Sequence, residues 1–234
     1  AGGTGAENPQ SGNKGVVYVK EFLVVKPAPT YNLSRAPKTT VYDTAGGPYT
    51  HNFDPAARWA KVIVTGGGGG GRNGTSSISG GAGATAIKTH DINSATASIT
   101  VGAGGAAGNP ASDGGASSYN DGTNILNAGG GAGGGFGAGG PVGTRPVATG
   151  GDLNLTGTVG SYDQYITSAA SVTGYPVGVA SYWGAGGVGH ATEADRRIGN
   201  WGSGGPSAYE GQGTTGNLGG YAGGVGVVVI EEHF

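Results

Sequence analysis

Apolar and polar positions along this chain fall into short β-type runs, and no segment carries an apolar stripe of helical period. Residues 16–25 (VVYVKEFLVV) are rich in strand formers and end at Pro27 and Pro29. Residues 39–43 (TTVYD) predict a short strand, residues 45–48 (AGGP) a turn, and residues 49–53 (YTHNF) an alternating strand. Asp54-Pro55 opens a turn before a β-branched run at residues 58–65 (RWAKVIVT). Further on, TAIKTH (85–90) and ASITV (97–101) predict a strand pair, and GVVVIEE (226–232) closes the chain as another strand. Residues 12–22 and 223–234 look alike, which reflects shared strand chemistry.

Composition changes this picture after residue 65. The chain has 56 glycines in 234 residues, against an average usage of about 7%, and only seven of them lie in residues 1–65. Disorder of the whole chain is disfavoured by 11 Tyr, 4 Phe and 3 Trp at particular places. The first glycine run, Gly66–Gly71, follows a strand, as phosphate-binding loops do. A phosphate site also needs the N-terminus of a helix, and residues 72–86 (RNGTSSISGGAGATA) are poor helix formers. Arg72 and Asn73 stand where a P-loop needs Lys and Ser/Thr. Nucleotide binding is therefore rejected.

An apolar residue followed by Gly-[Ala/Ser]-Gly-Gly recurs at Val101, Phe136, Trp183 and Trp201. The spacing varies from about 18 to 47 residues, which excludes a solenoid period, and glycine at every third position fails throughout, which excludes collagen. Short glycine runs can adopt polyproline II geometry at about 3.1 Å per residue, and nearly side-chain-free strips can pack and bond their backbones to one another. The expected fold is mainly β and irregular. A short β-sheet base precedes a bundle of packed polyglycine II helices with long variable loops and essentially no α-helix. Rod positions are Gly66, Gly68, Gly71, Gly131, Gly134, Gly184, Gly187, Gly202 and Gly205, with Trp183 and Trp201 assigned to packing.

Net charge is −2 and charged residues are 11%, so nothing attracts the chain in bulk to nucleic acid or an anionic membrane. Cysteine is absent, which rules out disulfides and thiolate metal sites, and no apolar run is long enough for a membrane-spanning helix. The lack of Met, position 1 included, marks a processed product or a fragment. His51, His90, His190 and His233 are scattered without metal spacing, and no nucleophile elbow is present, so no metal, cofactor or enzyme activity is expected. Residues 150–155 (GGDLNL) look like half of a calcium-binding β-roll repeat, but no tandem copy follows.

Binding potential lies in loops between glycine runs. The candidates are Tyr119 and Asn120 in SSYNDGTNIL, Arg145 in GPVGTRPV, Tyr162, Tyr165 and Tyr175 in residues 161–176, Arg196 and Arg197 in HATEADRRIGNW, and Tyr209 in PSAYEG. Tyr and Arg among Ser, Gly and Asn are typical of binding loops on a rigid support.

Residues 41–71 (VYDTAGGPYTHNFDPAARWAKVIVTGGGGGG) resemble the start of the glycine-rich tip domains of bacteriophage tail fibres. GGAGATAIKTHDI, ASITVGAGGAAG, SYWGAGG, NWGSGG and the terminal GGVGVVVIEE continue the resemblance in order to the chain end. Upstream, GAENPQSGNKGVVYVKEF is similar to the exit of phage tail-collar-like fibre domains, departing from that pattern at Gln10. The resemblance implies three parts: a collar-like attachment segment (1–26), a Pro-rich linker (27–37) and a glycine-rich tip (38–234). It also implies an adhesin at the distal end of a virion tail fibre, joined to an upstream shaft as a homotrimer or as a monomeric cap on a trimeric fibre. Its receptor would be a bacterial outer-membrane protein or surface polysaccharide. An ice-binding protein with a flat polyglycine II face, or a bacterial surface adhesin of similar build, stays open on the residues.

Overall fold

A computed structural model describes residues 35–73, 78–135, 143–161, 177–188, 199–207 and 219–234. All belong to one compact unit, Leu33–Phe234. The collar-like segment and most of the Pro-rich linker lie outside the described residues.

The described residues form two five-stranded antiparallel sheets and contain no helix. One sheet has the order β1-β10-β3-β4-β9, from β1 (Lys38–Tyr42), β10 (Val227–His233), β3 (Trp59–Thr65), β4 (Thr85–Asp91) and β9 (Leu153–Leu155). The other has the order β2-β5-β6-β7-β8, from β2 (Gly46–Asn52), β5 (Thr96–Val101), β6 (Ser117–Asn120), β7 (Ile125–Ala128) and β8 (Ala148–Thr149). Alternation explains the core. Ala60, Val62 and Val64 of β3 stand opposite Glu232, Ile230 and Val228 of β10. With Ile99, Val101, Tyr119, Leu126 and Ala128 of the second sheet, the apolar members of these pairs form one buried cluster, as facing sheets require. Two sequence expectations change. Gly46-Gly47-Pro48 lies within β2, across a register irregularity between Gly46 and Tyr49, and is not a free turn. Residues 117–126, expected as a loop, run through β6, its turn and the start of β7.

Beyond the sheets the strands continue as glycine-rich extended segments. Residues 66–71 prolong β3, residues 78–84 lead into β4, residues 102–108 follow β5, residues 111–116 lead into β6, residues 129–134 follow β7 and residues 221–226 lead into β10. Residues 66–71 run through the middle. Gly66 and Gly69 donate to Ala84 and Gly81, Gly67 and Gly70 to Gly115 and Ser112, and Gly68 and Gly71 to Gly224 and Tyr221. Their carbonyls accept with the same spacing: Gly67 and Gly70 from Gly131 and Gly134, Gly68 and Gly71 from Gly105 and Gly108, and Gly69 from Gly205. Successive residues thus face different neighbours and every third residue returns to the same one. Six segments surround the central one, three antiparallel to it and three parallel.

The six also bond to one another in a closed ring. Gly81 donates to Ala132, Gly114 to Gly131, Gly115 to Ala103, Gly223 to Gly105, Gly224 to Ser203 and Gly80 to Gly205. Buried backbone groups far from any sheet are paired in this way. The arrangement explains why side chains are excluded: a Cβ at Gly68 would overlap the Ser203 carbonyl, and one at Gly71 the Pro206 carbonyl.

Candidate functional site

The glycine segments give the molecule two distinct ends. Where they join the strands, they meet the apolar core. At their other end lie Arg72, Asn73, Ile78, Gly108, Asn109, Gly134, Pro206, Gly220 and Tyr221, since each is the residue of its segment farthest from the sheets. Side chains tie this end together. Arg72 Nε donates to Asn109 Oδ1 at 3.1 Å, and Asn73 Oδ1 accepts from Gly220 N at 2.5 Å. Ser79 and Ser161 exchange hydroxyl and backbone bonds, with 2.9 Å between their hydroxyls. Ser161, the residue just before the Tyr162–Tyr175 stretch, is thereby fixed to the segment beside Gly80.

The candidate residues separate into three groups. Tyr162, Tyr165, Tyr175, Arg196, Arg197 and Tyr209, with Phe136 and His190, lie outside the described residues. Arg145 is exposed on residues 143–147, which run along the flank through Val147 O accepting from Gly129 and Pro146 O accepting from Gly157. Its guanidinium makes no ion pair or hydrogen bond among the described residues. Tyr119 and Asn120 lie on β6 and not in a loop, and for Tyr119 this corrects the expectation of an accessible side chain. Tyr119 is fully buried in the core, because Ser117, Tyr119 and Asp121 alternate inward along β6. Asn120 stands at the hairpin turn, at the sheet end of the molecule, and its Oδ1 accepts from Gly122 N at 2.8 Å. The rod positions divide too. Gly66, Gly68, Gly71, Gly131, Gly134 and Gly205 lie in the hydrogen-bonded array, and Gly187 donates to Gly204 at its edge. Gly184 instead closes a turn by mutual bonds with Ser181, and Gly202 begins its segment with a φ of +68°.

Two buried polar clusters went unnoticed in the sequence. In one, the Glu232 carboxylate reaches Lys38 Nζ at 3.0 Å and accepts from Asp54 N at 2.7 Å. His51 Nε2 approaches Glu232 Oε1 at 3.4 Å without hydrogen-bond geometry, so the ring's bonded nitrogen is Nδ1, 3.0 Å from Tyr42 Oη. Burial lowers the His51 pKa, and this outweighs the nearby Glu232 charge. In the other, Tyr119 Oη lies 3.0 Å from His90 Nε2 and donates to Asp121 Oδ2 at 3.2 Å. Burial raises the tyrosine pKa, with the Asp121 charge adding to it. Burial also pushes the Asp121 pKa up, but hydrogen bonds from Asn124 and Thr123 outweigh it and leave the net shift downward. The alternation of SSYN followed by Asp-Gly was the available signal, since Asp-Gly between strand formers marks a hairpin. Both clusters join elements through largely buried polar contacts, and among the described residues neither presents a nucleophile to a cleft. Among the described residues no group of three His, Cys, Asp or Glu side chains is placed to hold a metal ion.

A two-sheet base whose strands run on into a hydrogen-bonded glycine array defines the class. The chain belongs to the glycine-rich domain family, whose family model matches residues 43–232. The match covers both sheets except β1 and includes every segment of the array. No curated protein matches the chain.

Proposed function

We propose that this chain is the tip adhesin of a bacteriophage tail fibre, binding an outer-membrane protein or surface glycan of its bacterial host. In this reading the glycine array is a polyglycine II bundle, a reading supported by the three-residue return of its hydrogen bonds and the six neighbours of residues 66–71. One observation carries the functional reading. The segments end together away from the sheets, and there the chain leaves and re-enters the array around residues 73–78, 134–135, 161 and 207–219. Two stretches rich in the residue types that dominate interfaces begin or end there or beside it, holding Tyr162, Tyr165, Tyr175 and Tyr209. A rigid support that brings tyrosine-rich stretches out at one end suits recognition of a surface. The adhesin would sit on an upstream shaft as a homotrimer, or as a monomeric cap on a trimeric fibre.

Binding of the fluorescently labelled chain to a panel of bacterial strains tests this. Saturable binding to a few related strains is expected, lost when residues 162–176 are replaced by a Gly-Ser stretch that leaves the Ser79–Ser161 bonds in place. Binding that survives replacement of this stretch and of residues 208–218 together would remove the distal end from the reading.

A further inference from the structure

Away from that end, near the junction of sheets and array, a cleft is built from two tryptophans. A cavity of about 280 Å³ is lined, among the described residues, by Trp183, Gly199, Asn200 and Trp201. Each indole is set by a glycine that follows it in left-handed conformation, Gly184 at φ +133° and Gly202 at φ +68°. The rings stand edge to face, 5.5 Å between centroids at 88°, so they form a right-angled corner. Tyr182, 48% exposed, packs at 90° on Trp183 and extends the aromatic surface.

The two indoles differ in how their N–H groups are used. Trp183 Nε1 donates to Thr65 Oγ1 at 2.9 Å, and that hydroxyl is bonded in turn to Thr85. This ring is anchored over the sheet and accounts for the burial of Thr65 on the face away from the core. Trp201 Nε1 has no protein acceptor among the described residues. Asn200 is exposed beside it, with Nδ2 reaching Ala185 O at 3.3 Å, while its Oδ1 accepts from no donor among the described residues. Packing alone asks for neither the open corner nor the unused donor.

We propose that this cleft binds one neutral pyranose unit of a glycan. The C–H-rich face of a sugar ring stacks on an indole, and its hydroxyls need both a donor and an acceptor. Trp201 Nε1 and the Asn200 amide supply these at one rim. No charged side chain lines the cavity among the described residues, which favours a neutral sugar over a phosphate or a carboxylate. The volume lies at the lower edge of small-molecule sites, the size for a single ring held at the mouth rather than a long chain enclosed. The proposal stands on the cleft and does not rest on the phage reading.

The test is titration of the full chain with glucose, galactose and N-acetylglucosamine, and with N-acetylneuraminic acid as the charged comparison. Intrinsic tryptophan fluorescence and saturation-transfer NMR are the readouts. A saturable fluorescence change with at least one neutral sugar is expected, weakened about tenfold or more, near 1.4 kcal/mol, in Trp201→Ala and in Asn200→Ala. Asn200→Ala removes an exposed amide and its one long bond to Ala185 O, and keeps the test valid if Trp201→Ala fails to fold. No saturable change with any neutral sugar overturns the proposal, as does binding unchanged in the folded Asn200→Ala and Trp201→Ala chains. An oligomer that becomes monomeric on Trp201→Ala, with no sugar effect, would make the cleft a contact between copies and overturn it as well.

Discussion

Gly68 and Gly122 have no side chain for opposite reasons. A Cβ at Gly68 would meet the Ser203 carbonyl inside the array, whereas at Gly122 nothing lies within 4 Å and only the φ of +90° favours glycine. Gly68→Ala should cost more than about 4 kcal/mol and leave little folded protein, because neither backbone can move without breaking its other bonds. Gly122→Ala should cost about 1–2 kcal/mol, the strain of a left-handed alanine. Urea denaturation of the pair checks both, and equal losses would contradict the close-approach account. Tyr119 is a third case. Tyr119→Phe leaves His90 and Asp121 without their buried partner and should cost about 1–3 kcal/mol with an unchanged denaturant slope.

At the scale of elements, the Glu232 cluster joins β10, β1 and β2, and its His51 should set the first stage of the fold's pH dependence. His51 has its pKa lowered by burial, so the folded state binds fewer protons there than the unfolded chain, whose value is 6.5. Its contribution to stability is full above 6.5 and is lost as the pH falls through the lower folded value. Asp54 and Asp121 are lowered from 3.8, Asp54 by the Ala56 amide and then Arg35, so their contributions are lost in a second, more acidic stage. Melting temperature should therefore decline in two steps on acidification, and His51→Gln should flatten the first step while leaving the second. A single step below pH 4 in both proteins would show that His51 is not the group responsible.

At the scale of the molecule, residues 66–71 bond on all sides and no solvent reaches them except by separating the six surrounding segments. Their amides should exchange with deuterium only through global unfolding, as slowly as those of β3, despite lying in a stretch with no sheet. Exchange by mass spectrometry or NMR reads this directly, and fast exchange across Gly67–Gly70 would contradict a closed array. Conversely, replacement of residues 162–176 should leave the melting temperature within a few degrees, since the described segments of the array already bond to one another in a closed ring.

The strands bounded by β-branched runs were legible because alternation and propensity are local: β1, β3, β4, β5 and β10 lie close to where the pattern puts them. The glycine runs were legible as extended, closely packed segments because only backbone-on-backbone approach explains so many consecutive residues without a Cβ. What the residues could not carry was decided by contacts distant in sequence. Which segment takes the centre depends on residues 66–71 finding partners near 81, 105, 112, 131, 205 and 223 at once. Tyr119, surrounded by Ser, Asn, Asp and Gly, looked like a loop residue, and only the second sheet packed across it turns its face inward. Trp183 and Trp201 share one motif, yet one indole is tied to Thr65 while the other has no acceptor among the described residues. Local sequence fixes a conformation residue by residue, whereas burial and pairing belong to neighbours that only the folded chain brings together.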